Sequence, residues 1–123
     1  MKLRIMGNTL RLRLSQGEVE KLGKDGTVSD ATVFPGEMAL TYTLESSPLN
    51  SMDCSLSDNT ILLSIPEATV NEWVNSEMVG FNKEFDLGNS SILSILVEKD
   101  FKCLTDRPGE SESDLFPNPS KSH

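Results

Sequence analysis

Residues 8–28, NTLRLRLSQGEVEKLGKDGTV, lie without a gap on residues 59–79, NTILLSIPEATVNEWVNSEMV. Asn8-Thr9 falls on Asn59-Thr60, Leu12 on Leu63, Val19 on Val70, Leu22 on Trp73 and Val28 on Val79. Self-similarity of this length marks one supersecondary unit present twice, the copies packing on each other.

Read outward, each copy has the same order of elements. Lys2–Met6 and Thr9–Leu14 alternate polar and apolar around Gly7-Asn8, the signature of a two-residue hairpin in which glycine supplies a positive φ. Ser15-Gln16-Gly17-Glu18 has the capping-box spacing, with serine before the helix and glutamate three residues in. A short helix follows, with Val19 and Leu22 facing inward and Gly23 or Gly26 as its stop. Strands over 27–34 and 37–45 flank Pro35-Gly36. The second copy repeats this: 52–57 and 60–65 around Asp58-Asn59, a helix opening with Pro66 at its first position, then strands over 79–85 and 91–98 around residues 86–89. The expected fold is α+β, with about eight short, mostly antiparallel strands and two helices in two ββαββ halves. The expected organisation is one domain over 1–104, made of pseudo-repeats 1–46 and 52–98, followed by an extended tail over 105–123. That tail, TDRPGESESDLFPNPSKSH, holds three of the six prolines and too little apolar surface for a core of its own.

Composition narrows the function classes. The 123 residues carry a net charge of −8, which argues against nucleic-acid binding by the whole surface. No run of about 18 apolar residues exists to span a bilayer, and the opening lacks the apolar stretch of an export signal. Cys54 and Cys103 make no disulfide framework, so they read as reduced thiols in a cytoplasmic protein. The single histidine is the last residue, which disfavours a histidine-based triad or multi-histidine metal site, and the phosphate-loop, dinucleotide, HExxH and CxxC motifs are absent. No cofactor or metal is expected.

The charge is segregated. A two-residue turn at Gly7-Asn8 sets Arg4 opposite Arg11 and Lys2 opposite Arg13, so one hairpin face is apolar and the other cationic. Residues 1–15 hold four basic and no acidic residues, and subtracting their +4 from −8 leaves −12 on the other 108. Like charges facing each other across a sheet cost a few tenths of a kcal/mol per pair. Two remedies are open. Carboxylates of this chain, Glu98 and Asp100 or the tail's Glu110, Glu112 and Asp114, would pair internally. Alternatively an anionic ligand would bind, because guanidinium groups take carboxylate or phosphate bidentately. In the second copy Arg11 falls on Leu62 and Arg13 on Ser64, so the fold itself does not require the basic face. Cys54 reads as a core residue, Cys103 as a small apolar one at a strand end, and Trp73 and Phe101 as core or cover.

The opening MKLRIMGNTLRLRLS and the close VEKDFKCL…ESESDLFPNP resemble the two ends of a family of short uncharacterised bacterial proteins. The matching positions run from Leu3 and Arg4 through Gly7-Asn8 to Arg13, then Glu98 to Phe101 with Cys103, then Asp114 and Phe116 to Pro119. The resemblance implies no activity. It implies that the hairpin, the EKDF segment and the FPNP tail belong to one feature.

Two functional readings follow. One is a non-enzymatic binding module whose basic hairpin receives an acidic segment, from its own tail or from another subunit of a homodimer, or else an anionic small molecule. Arg4, Arg11, Arg13 and Lys99 would contact the anion, with Glu98, Asp100, Asp114 and Phe116 in support. The other is a small enzyme or sensor for a phosphorylated or carboxylated molecule, with Glu98 or Asp100 as acid–base groups. A third, a β-ribbon entering the DNA major groove, is set aside on the net charge.

Overall fold

The computed structural model describes residues 1–101. They form β1 (Lys2–Met6), β2 (Thr9–Leu14), α1 (Gln16–Asp25), β3 (Thr27–Phe34), β4 (Met38–Ser47), β5 (Asp53–Ser57), β6 (Thr60–Pro66), α2 (Glu67–Asn75), β7 (Gly80–Gly88) and β8 (Ser91–Lys99). This is the α+β composition the alternation patterns predict. Cys103 and the tail over 105–123, Asp114 and Phe116 included, lie outside the described residues.

Local chemistry accounts for the boundaries. Gly7 has φ 55° while Asn8 keeps a negative φ, the pattern of a type II′ turn. Asp58 and Asn59 both take positive φ, 51° and 59°, as a type I′ turn needs. The β7–β8 hairpin turns on Asn89-Ser90, φ 51° and 63°, so β7 runs on through most of the expected break at 86–89 while β8 begins at Ser91 as expected, with a bulge between Asp86 and Gly88. At α1 the capping box forms: the Glu18 N–H donates to Ser15 Oγ (3.3 Å), and the Ser15 N–H donates to Glu18 Oε1 (2.8 Å). The helix runs through Gly23 and stops at Gly26, whose N–H donates to the Leu22 carbonyl. Gly23 serves packing instead. A Cβ there would come within 3.0 Å of both Val74 methyls. Pro66 precedes the first turn of α2, with φ −54° and ψ 139°, rather than opening it.

The sheets exchange hairpins between the two halves. One four-stranded sheet has the order β1-β2-β8-β7, the other β3-β4-β6-β5. We call them the first and second sheets. Each is two antiparallel hairpins joined by one central parallel pair, β2 with β8 and β4 with β6. Advancing β1, β2, β3 and β4 to β5, β6, β7 and β8 converts the first sheet's order into the second's. Neither half holds a complete sheet, and a lone hairpin is marginal in water. Register corrects one alignment: Phe81 pairs with Val97 as Val28 pairs with Leu44, so Phe81, not Val79, is the counterpart of Val28. Gly26 alone joins α1 to β3, whereas Ser76–Val79 join α2 to β7; with α2 one residue shorter than α1, the later strands move by two residues.

One apolar cluster draws on every layer. Leu12, Leu14, Ile95 and Val97 come from the first sheet, Val28, Leu44, Leu63 and Ile65 from the second, and Val19, Leu22, Val70 and Trp73 from the helices. Burial of each such side chain contributes about 1.5–3 kcal/mol. Trp73, fully buried, meets Phe81 edge-to-face at 5.2 Å and donates its indole N–H to the Val79 carbonyl (3.0 Å). Cys54 packs half-buried against this cluster, and burial, aided by Asp53, pushes its thiol pKa up.

Candidate functional site

Strand alternation sorts the first sheet into two faces. Leu12, Val97 and their in-phase neighbours point to the core, so Lys2, Arg4, Arg11, Arg13 and Glu98 share the outer face. The register sets Arg4 opposite Arg11 and Lys2 opposite Arg13, and continues Arg13 onto Glu98. Four cations therefore occupy a patch two strands wide. A cleft of about 190 Å³ lies among Lys2, Leu3, Arg4, Arg11 and Arg13.

Internal carboxylates answer part of this charge. Glu98 receives Arg11 through Nε and Nη2, each at 2.8 Å, and Arg13 Nε at 3.5 Å, all on Oε1. Asp100 receives the Lys2 ammonium at 2.8 Å. That hydrogen bond, chiefly, holds the Asp100 pKa below the usual carboxylate value, against a small opposing effect of burial. Arg4 has no ion-pair partner among the described residues. Four cations thus face two carboxylates at the cleft. Glu84 and Asp86 also lie on this side, but on β7, two strands from Arg11. At about 10 Å that is beyond a Debye length in physiological salt.

Gly80 helps direct Glu98. It pairs with Glu98 across β7 and β8, and a Cβ there would sit 2.2 Å from the Val97 carbonyl oxygen. The bare position leaves no side chain opposite Glu98 on the β7 side, and the carboxylate turns to the arginines. Sequence reading missed this residue. An isolated glycine at a strand start was its only signal.

Lys99 turns its ammonium away from the arginines, although the residue lines a cleft of about 200 Å³ with Arg11, Arg13, Glu98 and Asp100. It is in phase with Val97, so it leaves on the core side, where its ammonium donates to the Ser76 carbonyl at the end of α2 (2.9 Å). A lysine at a helix C-terminus suits the dipole there. Lys99, Asp100 and Phe101 line a groove of about 420 Å³ with Leu14, Val19 and Val74. Phe101, expected as core or cover, is 64% exposed at its mouth. Of the remaining candidates, Asp114 and Phe116 fall outside the described residues. Among the described residues no three His, Cys, Asp or Glu side chains gather as a metal site would need. No helix among them is long and apolar enough to cross a membrane.

The fold and this face define an α+β protein of two exchanged-hairpin sheets, one of which is cationic outside. The chain belongs to a family of unknown function (DUF7009), whose model matches residues 1–120. No curated protein and no solved structure matches it.

Proposed function

We propose that this is a non-enzymatic binding module that receives a carboxylate-bearing or other anionic segment on the outer face of its first sheet. The observation that carries the reading is the excess of cations at the cleft. Lys2, Arg4, Arg11 and Arg13 face only Glu98 and Asp100, and Arg4 is left without a described partner. Glu98 already orients Arg11 through two contacts and Arg13 through one longer one. Ordered side chains lose less entropy when an anion arrives. The distribution of charge favours binding over catalysis, because the carboxylates are engaged by cations. A cytoplasmic setting accords with reading Cys54 and Cys103 as reduced thiols.

The test is a citrate titration of the full chain, followed through the arginine Nε–Hε resonances. Arg4 should shift most, and saturably. Arg4→Leu should weaken citrate binding about tenfold, the effect of roughly 1.4 kcal/mol, while leaving the melting temperature within a few degrees. Equal, unsaturable shifts at every arginine would show screening alone and end the proposal.

A further inference from the structure

We infer that the segment received is this chain's own Glu110-Ser111-Glu112-Ser113-Asp114, added as a fifth strand along the free edge of β1. The inference rests on the anion-receiving reading above and names its occupant. β1 is an outer strand of the first sheet, paired only with β2. In a hairpin with a two-residue loop the pair closing the loop exchanges both hydrogen bonds, and the pairs then alternate. Counting back from Met6 and Thr9, the amides of Leu3 and Ile5 point away from β2, toward the open edge. An edge of this kind takes a further strand unless something covers it.

The acidic stretch has the matching period. Glu110, Glu112 and Asp114 are spaced by two, so an extended chain projects all three carboxylates to one side, at the same step that separates Lys2 from Arg4. Its other side presents Ser111, Ser113 and Leu115. Seated beside β1 with the carboxylates outward, the segment brings Leu115 to the inner face, where Ile5 is 56% exposed. Both faces of the edge then meet their chemical complement. Pro108 and Pro117 bracket the segment, leaving a proline-free window of eight residues, 109–116, in which every amide is free to pair.

Reach permits this within one chain. Asp100 still follows β2, its N–H donating to the Leu14 carbonyl, and its carboxylate meets Lys2 at the start of β1. The chain therefore leaves the described residues at the end of the sheet where β1 begins. A strand outside β1 lies three strand spacings from β8, about 14 Å. The nine steps from Phe101 to Glu110 span up to about 30 Å.

The experiment compares the full chain with E110Q/E112Q/D114N, reading amide exchange by NMR and citrate affinity in parallel. The inference expects the Leu3 and Ile5 amides to exchange at least tenfold faster in the variant, and citrate to bind several-fold tighter once its competitor is neutral. Added salt should speed exchange at the same two amides in the native chain. Unchanged exchange with citrate binding equal in both chains overturns the inference and leaves the binding face standing. Failure of citrate to bind either chain, with exchange unchanged, overturns both. Protection that rises with protein concentration, with a doubled mass by light scattering, assigns the segment to a second copy and overturns the assignment within one chain.

Discussion

Where Arg13 faces Glu98 in the first sheet, Ser64 faces Glu45 in the second. The two glutamates hold corresponding places, 53 residues apart, and both turn to the neighbouring parallel strand. In the first sheet Glu98 gathers two guanidinium groups. In the second Glu45 accepts one neutral hydrogen bond from Ser64 Oγ at 2.9 Å. A second contrast sits beside them. Thr27, opposite Glu45, donates its hydroxyl to the Leu44 carbonyl (3.2 Å), while Gly80, opposite Glu98, lies too close to the corresponding Val97 carbonyl for any Cβ. The second sheet shows that the fold stands without a cationic face. The shared architecture therefore does not itself demand the cations of the first.

Substitutions at corresponding sites can break or sharpen this contrast. The largest effect belongs to Gly80→Ala, which forces a methyl group against backbone and should cost about 1–3 kcal/mol, the usual range for overpacking. Thr27→Ala in the second sheet loses one hydroxyl contact and should cost about 1 kcal/mol. Denaturant unfolding of both variants checks the order, and equal losses would show that the close approach at Gly80 is unimportant.

A smaller effect is expected at the glutamates. Glu98→Gln should destabilise by about 1 kcal/mol at low salt, since it leaves Arg11 and Arg13 facing Arg4 and Lys2. Glu45→Gln should cost a few tenths at most. Moving the second half's residues into the first, as R11L/R13S, should reduce the Glu98→Gln penalty to that of Glu45→Gln. A penalty that survives the transfer, or ignores salt, would mean that Glu98 acts through packing.

The smallest effect is in acid. The Asp100 pKa is lowered in the folded chain, chiefly by the Lys2 hydrogen bond. A depressed carboxylate stabilises the fold above its unfolded pKa, near 3.9, and that contribution disappears as pH falls through the folded value. Lys2→Met should therefore flatten the acid limb of a stability–pH curve below about pH 4 and lower the plateau above it slightly. Parallel limbs for the two chains would contradict the assignment.

The local parts of this fold were legible in the chain, for identifiable reasons. Alternation over two and turn chemistry at Gly7-Asn8 placed Arg4 against Arg11, because both signals act within a dozen residues. The capping box at Ser15 and Glu18 is four residues long and formed as spaced. The exchange of hairpins was not legible. β2 meets β8 through a parallel pairing of Thr9 with Ser94, and no local pattern marks a partner that far along the chain. A two-residue insertion was legible, since Leu93, Ile95 and Val97 match Leu40, Tyr42 and Leu44 only with it; that it falls before β7, and so displaces Val79, shows once Phe81 is seen opposite Val97. Charge groups Lys99 with the arginines, whereas the phase of Leu93, Ile95 and Val97 sends its side chain to the other face.

The first sheet's outer face is proposed to bind carboxylates through cations the second sheet lacks. Calorimetric titration of citrate into the full chain and into R11L/R13S tests it most directly. The transfer leaves Lys2 and Arg4 against Glu98 and Asp100, a neutral patch. Saturable binding to the native chain, lost in the variant with melting temperatures within a few degrees, is the predicted result. Equal binding to both chains would contradict the claim.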